Sequence, residues 1–411
     1  VTVSKEITIE RGRKMTHYTY LIIGGGMTAH AAIRGIREVD PDGSIALFSE
    51  ESDPPYKRPP LSKKLWAGKR LETVWSKMDD LGVKMHLGRT VKAIDPGSKR
   101  VTDTQGTEYT FDKLLLATGG TPRRLPFGGD EIIYFRTLQD YLRLRALTER
   151  GERFAVIGGG FIGSEVAAAL AMNGKKVVMV LPEAGIGERL YPPDMVEFLN
   201  GYYREKGVEV LTGERATDLK KRGGQLALKT ESGKEIVVDG VVAGIGINPN
   251  VRLAGEAGLE VASGNGGIPV DELLRAGHPD IFAAGDVALF CDPLLGRIRR
   301  AEHEDNANTM GKAAGRNMAG ANETYRHSPF FYSDLFDLGY EAVGELDPRL
   351  EIVADWREPY REGVIYYLRD GRVRGVLLWN VWGQVEAARR LIAEPGPFHA
   401  GDLKGRLPEG D

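Results

Sequence analysis

Cysteine is almost absent from this sequence: among 411 residues only Cys291 carries a thiol. One thiol excludes an intrachain disulfide, a redox cysteine pair and a cysteine-rich zinc site. Cys291 itself reads as a small packing residue, and no metal is expected. So little thiol chemistry fits a reducing compartment, and the cytoplasm is the expected location. Positive charge is not in excess either, since the net charge of −3 argues against a nucleic-acid binder. Long apolar runs are also missing. The most apolar window, residues 154–172, is broken by Gly158-Gly159-Gly160 and Glu165, so it reads as strand, turn and buried helix rather than a membrane span. Residues 1–14 are charged and lack an apolar stretch, which suggests a disordered extension ahead of Met15 rather than a secretory signal.

What the chain has in excess is glycine, 53 residues, or roughly one in eight against a typical ~7%. No triplet period or Gly/Ser tract accounts for it, so it must serve tight turns and close backbone approach. Two stretches show where. Residues 18–23 form a β-prone run, followed by Gly24-Gly25-Gly26-Met27-Thr28-Ala29, a helical segment 31–39 and a second strand that leads to Glu50. The same events recur at 154–157, Gly158-Gly159-Gly160-Phe161-Ile162-Gly163, helix 164–172 and strand 177–181, which leads to Glu183. The first glycine and the acid lie 26 residues apart in one copy and 25 in the other, so the βαβ unit is repeated.

The spacing has a mechanical reason. Gly24 or Gly158 makes the turn, Gly26 or Gly160 lets a pyrophosphate approach, and Ala29 or Gly163 lets the helix pack on the sheet. The helix N-terminus offers free N–H groups to phosphates, and the acid accepts hydrogen bonds from a ribose. The residues thus point to two dinucleotides, or to one bound twice. Further strands at 113–117 and 280–284 end in Thr118-Gly119-Gly120 and Gly285-Asp286, delivering small residues and a carboxylate to a cofactor crevice.

Together, Gly24–Ala29, Ala117-Thr118-Gly119-Gly120 and Ile281-Phe282-Ala283-Ala284-Gly285-Asp286 resemble the three FAD motifs of glutathione-reductase-like flavoproteins. Arg58-Pro59-Pro60-Leu61-Ser62-Lys63, Tyr332-Ser333-Asp334 and the segment 363–370 resemble one branch, that of apoptosis-inducing factor and the bacterial ferredoxin reductases of oxygenase systems. Leu377-Leu378-Trp379-Asn380 leans toward the former. The resemblance implies an α/β fold with two Rossmann-like, doubly wound domains, the NADH domain inserted in the FAD domain, and a small C-terminal α+β domain. The expected boundaries are 1–128 and 265–324 for FAD, 129–264 for NADH, and 325–411 for the last domain. A homodimer is compatible with this pattern.

By the same resemblance the Gly24 copy takes FAD with Glu50, Arg58, Val91, Ala117, Thr118, Gly119, Gly285 and the ribityl-binding Asp286. The Gly158 copy takes NADH with Ile162, Glu183 and Gly246, and Arg123 is a further cofactor-binding residue. Lys63, paired with Glu165, is implied at the flavin's central ring. Phe161 is either core packing or an aromatic gate over the nicotinamide pocket. Glu302-His303 would open a helix at 301–318 aimed at the flavin's pyrimidine end, where His303 could equally be a cap. Tyr332 stands where the resembling enzymes usually carry Trp.

Glu183 suits a free 2′-hydroxyl and would repel a 2′-phosphate, so NADH is favoured over NADPH; Arg189 lies further along and could curl back. Relatives that reduce disulfides need a cysteine pair near residues 53–60, and none exists here. A flavin converts a two-electron donor into single electrons, so the leading acceptor is a ferredoxin-type carrier. Quinone or oxygen, or a signalling role through NADH-dependent assembly, are the rivals. The basic residues Lys57, Arg58, Lys63, Lys64, Lys69 and Arg70, with Arg297, Arg299 and Arg300, form either a docking face for an acidic ferredoxin or a solvated face partly committed to FAD.

Overall fold

The computed structural model describes residues 15–264 and 266–407. The extension expected at 1–14 lies outside the described residues. The first sheet is built around Thr16–Ile23, which pairs in parallel with Ile45–Phe48 on one side and Glu108–Leu116 on the other. Val83–His86 extends one edge and Ile281–Ala283 the other, so a strand from late in the chain joins the sheet that the first strand began. Strands buried on both faces read as continuous apolar runs, as Leu21, Ile22 and Leu114–Leu116 do here.

A second parallel sheet runs in the order Val208–Thr212, Lys176–Leu181, Arg153–Ile157, Gly240–Ala243 and Ile132–Tyr134. Two connections tie the sheets together, and they pair with each other as the antiparallel strands Gly120–Pro122 and Ile247–Pro249. Beyond that crossing the chain re-enters the first sheet's core at Leu253 and Ala254, with Val91 and Ile94. Leu253 and Ala254 lie ahead of residue 264, where the sequence places the end of the insertion.

The third unit is an antiparallel sheet ordered Phe330–Leu335, Leu338–Gly344, Arg372–Trp379, Glu362–Arg369 and Glu351–Glu358, with helix Val385–Ala393 against it. Its inner face shares a core with the second sheet: Phe331, Tyr340 and Trp379 pack with Val166, Tyr191 and Tyr203. The Tyr367 hydroxyl also donates to Leu190 O at 2.7 Å.

Helix Met27–Arg37 crosses helix Glu304–Met318 almost backbone to backbone. A Cβ on Gly311 would lie 2.4 Å from Thr28 O, and one on Gly315 would lie 2.0 Å from Ala32 O. Small residues at this crossing bring the N-terminus of Glu304–Met318 up to the first glycine turn.

Candidate active site

A cavity of about 1490 Å³ runs from the first glycine turn to the second. Gly24 and Gly158 adopt φ of +117° and +102°, the region that favours glycine. A Cβ on Gly24 would fall 2.0 Å from Ala117 O, and one on Gly158 would fall 2.6 Å from Gly244 O. Gly26 and Gly160 differ, because a Cβ there would meet nothing within 4 Å. They face open cavity, and each is the N-cap of its helix with no side-chain capping bond and no acid in the first turn. The N–H groups of both helix ends are left for an anionic ligand, so the residues fit a pyrophosphate at each turn.

Met27, Thr28, Val91, Ala117, Thr118, Gly119, Ile162 and Gly246 line the cavity as expected. Ala29, Gly163 and Gly285 do not. Ala29 is fully buried, a Cβ on Gly163 would strike Gly158 O at 2.0 Å, and one on Gly285 would strike Thr28 Oγ1 at 2.2 Å. These three act from behind the wall, by letting backbone come close. Glu50 stands exposed at the mouth and makes no ion pair or hydrogen bond among the described residues. Glu183 is held by Arg189 at 3.1 Å, so the arginine does curl back.

Between the turns lies a buried ion pair. Lys63 Nζ is 2.6 Å from Glu165 Oε1, with the two side chains 9% and 2% exposed. Ser62 Oγ donates to Glu165 Oε2 and Ser333 Oγ to Oε1, each at 2.6 Å. A buried carboxylate survives when charge and hydrogen bonds replace its lost water, and here all three donors converge. The helix begins at Phe161, which puts Glu165 beyond the first turn, so the helix dipole does not account for an acid there. The Lys63 ammonium also lies 5.3 Å from the Tyr332 ring centroid.

His303 stacks on Phe331 at 4.5 Å and 15°, and Phe161 meets both rings edge-on. Loss of water around the imidazole lowers the His303 pKa from 6.5 to about 4, so the ring is neutral near pH 7. The helix opens at Glu304, with His303 as an extended N-cap that makes no capping bond. The expected start at 301 is thus corrected: Glu302 lies outside the helix and pairs with Arg300 at 2.6 Å. Tyr332 uses its phenol to donate to Glu304 Oε2 at 2.7 Å, anchoring its ring at the cavity wall.

Asp286 faces Arg136 Nη2 at 2.8 Å, a partner 150 residues away that the sequence did not signal. Arg58 reaches Glu51 at 2.5 Å and Arg136 O at 3.0 Å, and Arg123 Nε reaches Asn248 at 3.2 Å. Asn250 accepts from Thr118 Oγ1 through its backbone at 2.8 Å, and its side-chain nitrogen donates to Thr118 O at 2.9 Å. Ser62, Ser333, Arg136 and Asn250 were all missed as site residues. The serines and Asn250 sit inside sequence motifs that signal the fold; Arg136 does not.

The two basic clusters separate. Arg297 pairs with Glu345 at 2.7 Å and Arg299 with buried Asp292 at 2.8 Å, so with Arg300 the second cluster is committed internally. In the first cluster, Lys57, Lys64 and Lys69 are exposed and have no ion pair among the described residues. Cys291 is exposed rather than packed, and it lines neither large cavity. No group of residues suited to a metal occurs among the described residues. No helix among them is long and apolar enough to cross a membrane.

Comparison with known proteins agrees with this geometry. Residues 18–311 match the family model for pyridine nucleotide-disulphide oxidoreductases. Residues 314–359 and 354–394 match the C-terminal region of mitochondrion-associated apoptosis-inducing factor. The chain is 35% identical to apoptosis-inducing factor 1 of Dictyostelium discoideum, covering 91% of this chain and 78% of that protein. It is also 35% identical to the ferredoxin–NAD(+) reductase component of the anthranilate 1,2-dioxygenase system of Burkholderia cepacia, over 91% and 94%. Among solved structures, the covalent putidaredoxin reductase–putidaredoxin complex superposes with a TM-score of 0.86 at 30% identity, over 92% of this chain and 94% of that one. FAD and NADH are the cofactors of such proteins, and the glycine turns fit both. The chain belongs to the pyridine nucleotide-disulphide oxidoreductase family, as an FAD-dependent NAD(P)H oxidoreductase without the cysteine pair of a disulfide reductase.

Proposed function

We propose that the protein is an NADH-dependent reductase that passes electrons from NADH through FAD to a ferredoxin-type carrier. The observation that carries this reading is the pair of uncapped glycine-led helix ends on one cavity, with Lys63–Glu165 between them. Bound FAD would supply the conversion of a two-electron donor into single electrons. Glu50 and Glu183 hold the two riboses, and Asp286 the ribityl chain. Lys63, fixed by Glu165, puts a cation where negative charge develops, and the N-terminus of Glu304–Met318 adds its dipole. Neutral His303 and Phe331 back Phe161, which closes over the nicotinamide side.

In this reading FAD binds to residues up to 128 and from the Ile247–Pro249 strand to 324, NADH binds between them, and the C-terminal domain follows from 325. The exposed lysines 57, 64 and 69 offer an acidic carrier its docking face. The lone cysteine supports the cytoplasm as location. Anaerobic rapid mixing tests the reading: NADH should bleach the bound flavin, and a ferredoxin should restore it at a rate that falls as salt rises. Restoration by quinone alone would overturn it. The match of the C-terminal region to apoptosis-inducing factor favours a second reading, an NADH-driven shift to dimer, which sedimentation with and without NADH would reveal.

A further inference from the structure

Asp305 follows Glu304 in the first turn of helix Glu304–Met318 and lines the cofactor cavity, yet its carboxylate is held by groups beyond the helix. Three donors converge on one of its oxygens. His327 Nε2 lies 2.5 Å from Asp305 Oδ2, Phe330 N donates to it at 3.2 Å, and Arg389 Nη2 lies 3.5 Å away. The Asp305, His327 and Arg389 side chains are 15%, 25% and 16% exposed, so water screens their charges weakly. Arg389 belongs to helix Val385–Ala393 of the last unit and is itself fixed. Its Nε donates to Ser328 O at 3.0 Å, and its guanidinium stands 5.8 Å from the Phe330 ring centroid. An acid in a first turn is favoured by the helix dipole and needs no such clamp. Tyr332 donates to Glu304, so both acids of this turn are held by the last unit and the segment that leads into it. The charge of Asp305 is also felt in the cavity: burial lowers the His303 pKa, and Asp305 is one of the groups that pull it back up.

We propose that Arg389, with His327, offsets the charge of Asp305 and thereby sets the reduction potential of the bound flavin. The proposal rests on the reading in which this helix end faces FAD, and it gives the C-terminal domain a part in the reaction. Reduction adds negative charge to the flavin, and an uncompensated carboxylate on the same cavity would oppose it. A guanidinium behind the carboxylate cancels much of that field without entering the cavity. Arg389 and His327 line neither large cavity, so they are positioning residues that act through Asp305.

The test is a redox titration of the flavin-loaded protein, reduced by light beside a reference dye with neither NADH nor a carrier present. Arg389→Leu should raise the ratio of oxidised to reduced flavin at a fixed potential about fivefold, which lowers the midpoint by about 20 mV for a two-electron couple. Asp305→Asn should move the ratio as far the other way, and the double variant should return close to the wild type. Arg389→Lys keeps the charge and should stay near the wild type. A disturbance of structure alone would move both single variants in the same direction. That result, or a ratio within about 1.5-fold of the wild type in both, would overturn the proposal. If Arg389→Leu sheds its flavin, Asp305→Asn decides: a midpoint unmoved or lowered overturns it. Failure of NADH to bleach the wild-type flavin would sink the parent reading alone, since light supplies the electrons in the titration.

Discussion

Around Gly24 and around Gly158 the backbone does the same thing: a positive-φ glycine, then an N-cap glycine facing open cavity, then a helix without a capping side chain. The surroundings differ. The first turn is flanked by strands ending at Thr118 and Asp286, and its acid, Glu50, stands free at the mouth. The second is flanked by the strand leading to Gly246, and its acid, Glu183, is tied to Arg189. The glycine turn is therefore a general phosphate cradle. In the proposed reading, which dinucleotide it takes is set by strands far away in sequence and by what the acid is already holding.

Three substitutions probe the seam and the second turn, in falling order of effect. Glu165→Ala leaves the Lys63 ammonium buried without its counter-charge and should cost about 3–5 kcal/mol, read by denaturant unfolding of the flavin-loaded protein. A loss of under about 1 kcal/mol would mean the pair does not hold the seam. Next comes His303. Its pKa in the fold is about 4 against an ordinary 6.5, so the unfolded chain takes up the proton first as pH falls. Stability should drop as pH goes from 6.5 to 4, and His303→Phe should remove a part of that drop on the order of 2 kcal/mol. Identical acid limbs in the two proteins would contradict a buried neutral imidazole. Smallest is Arg189→Ala, which removes the cation paired with Glu183. The pair is mostly solvated, so the preference for NADH over NADPH should rise by about twofold to fivefold. A fall in that preference would reverse the role given to Glu183.

Much of this was legible in the sequence because it is local. A glycine turn, the helix it starts and the acid that ends the next strand lie within one βαβ unit, and the two copies vouch for each other. The Lys63–Glu165 pair was legible only through family resemblance, since about a hundred residues separate its halves. Ser62 and Ser333 sat inside recognised motifs and still passed unnoticed, because a hydroxyl carries no spacing signal until its partner is located. The role of Arg297 and Arg299 stayed open in the sequence for a related reason: their partners Glu345 and Asp292 face them only in the fold. The helix at Glu304 starts later than expected because no Ser, Thr, Asp or Asn marks its cap.

The most direct test of the inequality between the two turns is the flavin content of purified Gly26→Ala and Gly160→Ala. Both positions tolerate a Cβ in the fold, and in both it would stand where a pyrophosphate must approach. The account predicts that Gly26→Ala is folded but colourless, while Gly160→Ala stays yellow and needs about tenfold or more NADH for the same bleaching. A colourless Gly160→Ala beside a yellow Gly26→Ala would contradict it.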